Sequence, residues 1–264
     1  MNISILGFGN LGSSLADGLK TYSELNKLYV TKKDIKKLNH NINDEKCILT
    51  NDNISAVSKS KIIFLTVQPS QFKVLAEEIK DHITTDHIII SPITGITIED
   101  LDNVFGSDKK IIRCMTNTAV AVQHAVTCIC SNETGKNYIE IVDNIFKNLG
   151  HTMIIEEKNM QAATVISASG IAFWMRLIRA NAQGGIQLGF ESNQALEISV
   201  MTSLGAAKLL EKNQSHPEDE IDKVTTPNGC TIEGLIEMEH QGLSSALIKG
   251  IEKSFNKINL MKKE

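Results

Sequence analysis

The first half of the chain alternates short apolar runs with stretches whose apolar residues recur at helical spacing. Continuous runs of Ile, Val and Leu are typical of strands that are buried on both faces of a sheet. Such runs occupy residues 3–6, 27–30, 61–67, 87–90 and 110–115. Helical stretches separate several of them, which predicts a doubly wound, mainly parallel sheet of the α/β class. We expect residues 125–130 and 151–156 to add two edge strands.

After about residue 157 the pattern changes, and only helical spacing is left. The segments 159–190, 193–212 and 231–260 are apolar at that spacing and contain many Ala, Gly and Ser residues. We therefore predict two domains, an α/β domain over residues 1–157 and an all-helical domain over residues 158–264. Small residues allow helices to approach closely, either within this domain or between subunits. Trp174 is expected to pack in the core or in such an interface.

Composition and charge exclude several classes of protein. The chain has 264 residues, 42% of them apolar and 22% charged, as in an ordinary globular protein. The net charge of −4 gives no general attraction to nucleic acid or to an anionic membrane. No apolar run reaches the roughly 18 residues of a membrane span, and the start of the chain lacks the features of a signal peptide. We expect a cytoplasmic protein with no nucleic-acid or membrane partner.

The cysteines give no sign of a metal centre. They form no CxxC pair and accompany no histidine cluster, so we expect reduced, structural thiols and no metal. They are Cys47, Cys114, Cys128, Cys130 and Cys230.

The segment GFGNLG fits the pattern G-x-G-x-x-G between a predicted strand and a predicted helix. In this setting the first glycine permits a tight turn, the second admits a pyrophosphate and the third lets helix and strand pack closely. The helix start adds free amides and a positive dipole end. A glycine-rich turn without a ligand is the alternative. We predict a Rossmann-like dinucleotide site formed by Gly7, Phe8, Gly9, Asn10, Leu11 and Gly12.

The end of the second predicted strand bears on the choice of dinucleotide. An NAD site usually places a carboxylate there, which would repel the 2′-phosphate of NADP. Here Thr31, Lys32 and Lys33 occupy this position, and Asp34 comes slightly later. A hydroxyl and ammonium groups attract phosphate, so we expect NADPH to be preferred, with NADH possible. The alternative is a solvated basic loop.

Six segments occur in an order that resembles pyrroline-5-carboxylate reductase, the last enzyme of proline synthesis. They are GFGNLG, FLTVQP, SPITGIT, IIRCMTNTAV, SASGIAF and VTTPNGCTIEGL. The resemblance implies an N-terminal dinucleotide domain and a C-terminal helical dimerisation domain. It also implies NAD(P)H-dependent reduction of the C=N bond of 1-pyrroline-5-carboxylate, by a dimer of a kind that often assembles further, commonly into a decamer.

The resemblance assigns further residues to the cofactor. Thr31 and Lys32 match the 2′-phosphate or adenosine-ribose region, and Asn53 matches an asparagine that contacts adenosine. Three more segments match a turn beside the cofactor, a strand end near the nicotinamide and a second stretch on the nicotinamide side. These comprise Thr66, Val67, Gln68 and Pro69, then Thr94 and Gly95, then Met115, Asn117 and Thr118.

The segment VTTPNGCTIEGL resembles the part of the family that holds the substrate carboxylate. The resemblance implies that Thr226 contributes a hydroxyl, and that Gly229 and Cys230 contribute backbone amides. Asn228 lies in the same turn. Thr231 matches the threonine that reaches the ring nitrogen, and we take it as the catalytic residue. Its alternative reading is an N-cap or first-turn residue.

The chain departs from the family pattern at Gln68, Ala119, Ile171 and Asn228, where Lys, Pro, Pro and Gly are usual. These departures leave room for a paralogue that reduces another cyclic imine, or for a dinucleotide-binding regulatory protein on the same scaffold. A β-hydroxyacid dehydrogenase is disfavoured, because its catalytic lysine motif is missing from the segment SASGIAFWMRLIRANA. Arg113 could lie near the cofactor or form a structural ion pair.

Overall fold

The structure, a computed structural model, describes residues 1–34 and 45–261. Strands β1 to β8 comprise Asn2–Leu6, Lys27–Thr31, Cys47–Thr50, Ile62–Leu65, Ile88–Ser91, Lys110–Met115, Ala125–Ser131 and Gly150–Ile154. Helices α1 to α5 comprise Asn10–Leu19, Asn53–Ser58, Pro69–Ile79, Ile98–Phe105 and Ile139–Lys147. Helices α6 to α11 comprise Met160–Ala163, Gly170–Gln187, Ser192–Asn213, Pro217–Val224, Cys230–His240 and Leu243–Met261. A π-helical turn, Thr164–Ser169, joins α6 to α7.

The strands form one sheet in the order β3-β2-β1-β4-β5-β6-β7-β8. All neighbouring pairs are parallel except β6 and β7, which run antiparallel. The order reverses between β1 and β4, so the loops that follow these two strands diverge and leave a crevice at their carboxyl ends. The predicted doubly wound, mainly parallel sheet is therefore confirmed, and the crevice lies where the glycine motif begins.

Three details of the sheet and helices differ from the sequence prediction. The segment around residues 125–130 is not an edge strand, because β7 pairs with β6 on one side and β8 on the other. Strand β3 was not predicted, since its four residues are only partly buried and give no continuous apolar run. Helices α4, α5 and α9 were also missed.

The core lies on both faces of the sheet, as the unbroken apolar strands predicted. In β4 the side chains of Ile62 and Phe64 join one core cluster, and those of Ile63 and Leu65 join the cluster on the other face. This alternation follows from the two-residue period of a strand. The ring of Phe64 packs edge-on against Phe146 of α5, with centroids 5.9 Å apart. Helices therefore cover both faces, and ligands reach the sheet at its strand ends.

The chain divides into two compact units. The first contains residues Met1–Ser169 and the chain from Ser254 onward, and the second contains Gly170–Lys253. In the first unit the amide of Gln161 donates to Phe255 O and Asn259 Oδ1, which ties the end of α11 to α6. The predicted domains, 1–157 and 158–264, stay a prediction, and the compact units divide later in the chain.

The second unit is helical throughout, as predicted. Small residues mediate its main helix pair, because a Cβ on Gly185 of α7 would lie 3.1 Å from the Cβ of Ala195 of α8. Asn181 Nδ2 also donates to Ser199 Oγ across this pair at 3.1 Å. Many large apolar side chains are nevertheless exposed within the unit. They include Trp174, Met175, Leu188, Leu196 and Met201.

One stretch among the described residues, Glu157–Gln187, could cross a membrane by length and composition alone. It combines α6, the π-helical turn and α7, and little of it is buried in the single chain.

Candidate functional site

The glycine loop after β1 is held by backbone and hydroxyl hydrogen bonds. Gly7 has a φ of 109°, a conformation that favours glycine. Its amide donates to the carbonyl oxygen and to Oγ1 of Thr31, each at 3.3 Å. Thr66 Oγ1 donates to Gly7 O at 2.6 Å. A Cβ on Gly12 would lie 2.1 Å from the same carbonyl oxygen, so only glycine fits there.

The start of α1 has the features of an anion site. Its N-cap is Gly9, no side chain caps it, and its first turn contains no acidic residue. A Cβ on Gly9 would meet nothing within 4 Å, so the backbone is open to an approaching group. The first amides of a helix have no partner within the helix and carry a positive potential. These features fit the pyrophosphate of a dinucleotide.

The residues at the end of β2 have different surroundings. The side chain of Thr31 is buried and its hydroxyl faces the Gly7 amide, so it supports the glycine loop. The Nζ of Lys32 lies 6.0 Å from the centroid of the Phe8 ring. Lys33 is exposed. Lys32 is thus brought beside the glycine loop, whereas the Thr31 hydroxyl is occupied by the backbone.

The predicted cofactor residues on α2 and α3 lie at helix starts. Asn53 is the first residue of α2, and its Nδ2 donates to Glu78 Oε2 at 3.0 Å. Gln68 is the exposed N-cap of α3, and Pro69 occupies the first helical position, where its missing amide costs nothing. Val67 packs against the glycine loop, since a Cβ on Gly7 would lie 2.9 Å from its Cγ1.

The residues assigned to the nicotinamide side come from two strand ends. Thr94 and Gly95 form a turn after β5, with a φ of 84° at Gly95. Met115 is buried among apolar side chains, so it is first a core residue. Asn117 Oδ1 accepts from Ala119 N at 3.0 Å, and Asn117 Nδ2 donates to Ser167 O at 3.2 Å. Thr118 is exposed.

The candidate substrate segment forms a tight turn at the start of α10. Gly229 N donates to Thr226 O at 2.9 Å, and Asn228 has a φ of 58°. Pro227 precedes Asn228, which is the residue pattern of a type II turn. A Cβ on Gly229 would lie 2.5 Å from Thr226 Oγ1, so the threonine hydroxyl rests against the glycine.

The start of α10 is uncapped and uncharged. Its N-cap is Gly229, with no side-chain cap hydrogen bond, and its first acidic residue is Glu233. Because the Gly229 amide is used in the turn, the available amides begin with Cys230. Thr231 is exposed in the first turn and is not the N-cap. Hydroxyls, amides and a helix dipole therefore meet here without a formal charge.

Sequence reasoning gave a structural ion pair as one reading of Arg113 but did not find its partner, Glu157. Arg113 is 3% exposed, and its Nη1 donates to Glu157 Oε1 at 2.8 Å, so its reading as a structural ion pair is confirmed. The same oxygen accepts from Ile98 N at 2.7 Å. Nothing in the sequence pattern marks Glu157, because its partners are distant along the chain.

No disulfide joins the cysteines, all of which lie among the described residues; four are buried, and Cys230 is exposed. Burial raises the pKa of the Cys130 thiol to about 12, with a smaller contribution from Glu157. Among the described residues no group of three or more His, Cys, Asp or Glu could hold a metal ion.

Comparison with known proteins identifies the family. Residues 157–261 match the family model of pyrroline-5-carboxylate reductase dimerisation, and residues 2–95 match that of NADP oxidoreductase, coenzyme F420-dependent. Pyrroline-5-carboxylate reductase 2 of Dictyostelium discoideum is 40% identical, over 97% of this chain and 91% of that protein. This chain belongs to the pyrroline-5-carboxylate reductase family. The members of this family are NAD(P)-dependent oxidoreductases of proline biosynthesis.

Two more relatives agree with the resemblance first seen in the motifs. Pyrroline-5-carboxylate reductase 1 of Dictyostelium discoideum is also 40% identical over 97% of this chain, which spans 49% of that longer relative. The crystal structure of Plasmodium falciparum pyrroline carboxylate reductase with NADP bound has a TM-score of 0.90. The two chains are 24% identical, and the match covers 99% of this chain and 98% of the Plasmodium falciparum chain. The comparison therefore shows that the fold is the same.

Two departures from the pyrroline-5-carboxylate reductase pattern have a visible structural consequence. Ala119 replaces a proline, and its backbone N–H donates a hydrogen bond to Asn117 Oδ1. Proline has no N–H and could not form this bond. Asn228 replaces a glycine and keeps the left-handed backbone, which Asn tolerates better than most residues. Gln68 and Ile171 lie at the starts of α3 and α7, where nothing in the structure explains the change.

Proposed function

We propose that this chain reduces the C=N bond of 1-pyrroline-5-carboxylate to L-proline with NADPH, the last step of proline biosynthesis. The observation that carries the proposal is the uncharged, uncapped start of α10 behind the turn Thr226–Gly229. Such a helix start offers amide hydrogens and a positive potential to a carboxylate without a cationic side chain. Family membership supports the reaction type.

The glycine loop and the start of α1 would hold the dinucleotide pyrophosphate. Lys32 and Lys33 favour a 2′-phosphate, and no carboxylate ends β2. The Plasmodium falciparum structure of the same fold contains NADP, which agrees with an NADP site. Thr94 and Gly95 would lie on the nicotinamide side. When bound, the reduced nicotinamide supplies the hydride, and the protein orients the reacting groups and excludes water.

The substrate carboxylate would be held by the Thr226 hydroxyl and by the amides at the start of α10. Because the Gly229 amide closes the turn, the donors that remain are those of Cys230 and Thr231. In this geometry Gly229 provides the space for the Thr226 hydroxyl, and Asn228 provides the left-handed turn. The substrate would then be oriented by its charged group.

The ring nitrogen would be met by the Thr231 hydroxyl. A cyclic imine can arrive already protonated, so reduction needs no strong general acid from the protein. The segment from Val224 to Ile232 contains no Asp, Glu, His or Lys, which agrees with such a mechanism. A hydroxyl that accepts from the protonated nitrogen fixes the face of the ring presented for reduction.

We propose that the helical region forms a homodimer in the cytoplasm, and that such dimers assemble into a decamer. The match to the family's dimerisation model and the exposed apolar side chains of α7 and α8 support a subunit interface. Burial of apolar surface is the main favourable term in such association. Size-exclusion chromatography with light scattering would give the number of subunits.

The deciding assay follows NADPH absorbance with 1-pyrroline-5-carboxylate, and with NADH in a parallel series. Rapid oxidation of NADPH and formation of proline are expected. The same assay with 1-piperideine-2-carboxylate identifies a paralogue that prefers another cyclic imine. Tight NADPH binding without turnover would instead indicate a regulatory protein and overturn the proposal. Complementation of a proline auxotroph tests the physiological role.

A further inference from the structure

The loop between β5 and α4 is linked at both ends to Arg113 of β6, at its start directly and at its end through Glu157. It starts after Ser91, which pairs with Arg113 in the β5–β6 register. It ends at Ile98, whose amide donates to Glu157 Oε1 at 2.7 Å. The same oxygen accepts from Arg113 Nη1 at 2.8 Å. Glu157 thus closes a ring of contacts around residues 92–97.

The burial of Arg113 makes its ion pair with Glu157 important for stability. Arg113 is 3% exposed, and among the described residues its Nε has no hydrogen-bond partner. A buried guanidinium needs a paired and hydrogen-bonded carboxylate, so loss of Glu157 would leave an uncompensated charge. The Glu157 carboxylate also lies at the positive end of α4, which favours its position.

The loop enclosed by these contacts contains Thr94 and Gly95. Its end is further ordered by the capping box of Thr97 and Asp100, in which Thr97 N donates to Asp100 Oδ2 at 2.8 Å. This box orders α4 locally but makes no link to the sheet. The Ile98–Glu157–Arg113 link therefore adds a hydrogen-bonded attachment between the start of α4 and β6 to the packing of Ile98 in the cluster that contains Met115.

We propose that Glu157 is a positioning residue for the nicotinamide side of the dinucleotide site. This inference rests on the proposed function, which assigns Thr94 and Gly95 to that side. Glu157 does not touch the ligand. It holds the ends of the loop at a fixed separation, so that the loop backbone meets the nicotinamide end in one arrangement, while the glycine loop Gly7–Gly12 binds the other end independently.

The test compares two ligands by isothermal titration calorimetry on the full chain. NADP⁺ contains the nicotinamide, whereas 2′-phospho-ADP-ribose lacks it and contacts only the pyrophosphate and adenosine side. In Glu157→Ala the Kd of NADP⁺ should rise about tenfold, and that of 2′-phospho-ADP-ribose should stay within about twofold. Glu157→Gln keeps an acceptor for both donors and should restore much of the NADP⁺ affinity.

The neighbouring carboxylate provides a matched control. Glu156 pairs with Lys158 at 2.6 Å, and both side chains are more than 70% exposed. Such an exposed pair contributes little. Glu156→Ala should therefore bind both ligands like the wild type.

A second variant removes the amide bond together with the Ile98 side chain and keeps the buried ion pair. Proline is tolerated at the first position of a helix, so Ile98→Pro deletes the N–H that Glu157 accepts and leaves Arg113 paired. Ile98→Ala loses the same packing but keeps the amide. Ile98→Pro should weaken NADP⁺ selectively, whereas Ile98→Ala should weaken it far less. This pair decides the matter if Glu157→Ala does not fold.

Turnover adds an independent readout. In both affected variants kcat should fall about tenfold or more while the KM for 1-pyrroline-5-carboxylate changes little, since the defect lies on the cofactor side. Equal weakening of the two ligands, or wild-type affinity for NADP⁺ in Ile98→Pro, would overturn the inference. Failure of the wild type to bind NADP⁺ would instead refute the proposed function.

Discussion

The hydroxyl of Thr66 donates a hydrogen bond of 2.6 Å to the carbonyl oxygen of Gly7. This bond joins the ends of β4 and β1, the two strands between which the order of the sheet reverses. The glycine loop is therefore fixed by a side chain from the neighbouring strand as well as by its own backbone.

Replacing Thr66 with valine should weaken cofactor binding without unfolding the protein. Valine keeps the shape of the side chain but leaves the Gly7 carbonyl without its donor, a loss of about 1 kcal/mol. The Kd of NADP⁺ should rise about fivefold in calorimetry. Thr66→Ser retains the hydroxyl and should bind like the wild type. Equal affinity in the valine and serine variants would show that this bond does not order the loop.

Two glycines of the same loop should respond differently to alanine. A Cβ on Gly12 would lie 2.1 Å from Gly7 O, a backbone atom that cannot move freely, so Gly12→Ala should lower the free energy of unfolding by about 1–3 kcal/mol. A Cβ on Gly9 meets nothing within 4 Å. Gly9→Ala should cost less than about 1 kcal/mol of stability, the scale of an N-cap change.

Cofactor affinity should show the complementary result for Gly9. The added methyl group would occupy the open backbone face that a pyrophosphate approaches, so the Kd of NADP⁺ should rise at least about tenfold. Urea denaturation and calorimetry measure the two effects separately. A Gly9→Ala protein with unchanged affinity would mean that the pyrophosphate does not approach this face.

The sheet was largely predictable because its strands are buried on both faces. Unbroken apolar runs marked β1, β2, β4, β5 and β6. Strand β3 escaped because Cys47–Thr50 is short and only Cys47 is buried. The antiparallel direction of β7 also could not be read from its pattern, since alternation is the same in either direction. Local pattern therefore gave most of the strands, and pairing depended on contacts between distant segments.

The candidate site was predictable in position and less so in side-chain direction. Motifs placed Thr31 and Asn53 at strand or helix ends, where doubly wound folds bind ligands. The structure turns the Thr31 hydroxyl toward the Gly7 amide and the Asn53 amide toward Glu78. Such choices depend on the neighbours supplied by other elements, and these are not visible in a local motif.

The turn before α10 should depend on the left-handed backbone of Asn228. Its φ of 58° costs most side chains about 1–2 kcal/mol, whereas glycine adopts it freely. Asn228→Gly should preserve the KM for 1-pyrroline-5-carboxylate, and Asn228→Ala should raise it about threefold to tenfold by loosening the turn. The Kd of NADP⁺ should be unchanged in both. If alanine and glycine give the same KM, the turn conformation does not control substrate binding.

His87 should make the protein less stable in mild acid. Burial lowers the pKa of His87, although the Asp86 carboxylate and the Val57 carbonyl oppose this shift. Its Nδ1 accepts from Thr84 N at 2.9 Å, which requires that nitrogen to be unprotonated. Below about pH 6.5 the unfolded chain takes up a proton at His87 that the folded chain does not. The free energy of unfolding therefore decreases as the pH is lowered.

The measurement is urea denaturation at several values between about pH 7 and pH 5.5, above the range where most carboxylates titrate. His87→Asn keeps an acceptor near the Nδ1 position and removes the titrating group. The variant should lose stability less steeply than the wild type over this range. The same slope in both proteins would contradict the assignment to His87.

Thr231 should affect turnover more than cofactor binding. The start of α10 has no Asp, Glu, His or Lys before Glu233, so we take the Thr231 hydroxyl as the group that meets the ring nitrogen. Removal of one such transition-state hydrogen bond should lower kcat roughly tenfold to a hundredfold in Thr231→Ala, with the Kd of NADP⁺ unchanged. Thr225 is a matched control, because it is the C-cap of α9 and its hydroxyl donates to Asp222 O within that helix end. Thr225→Ala should turn over like the wild type, and equal kcat values for the two variants would remove Thr231 from the mechanism.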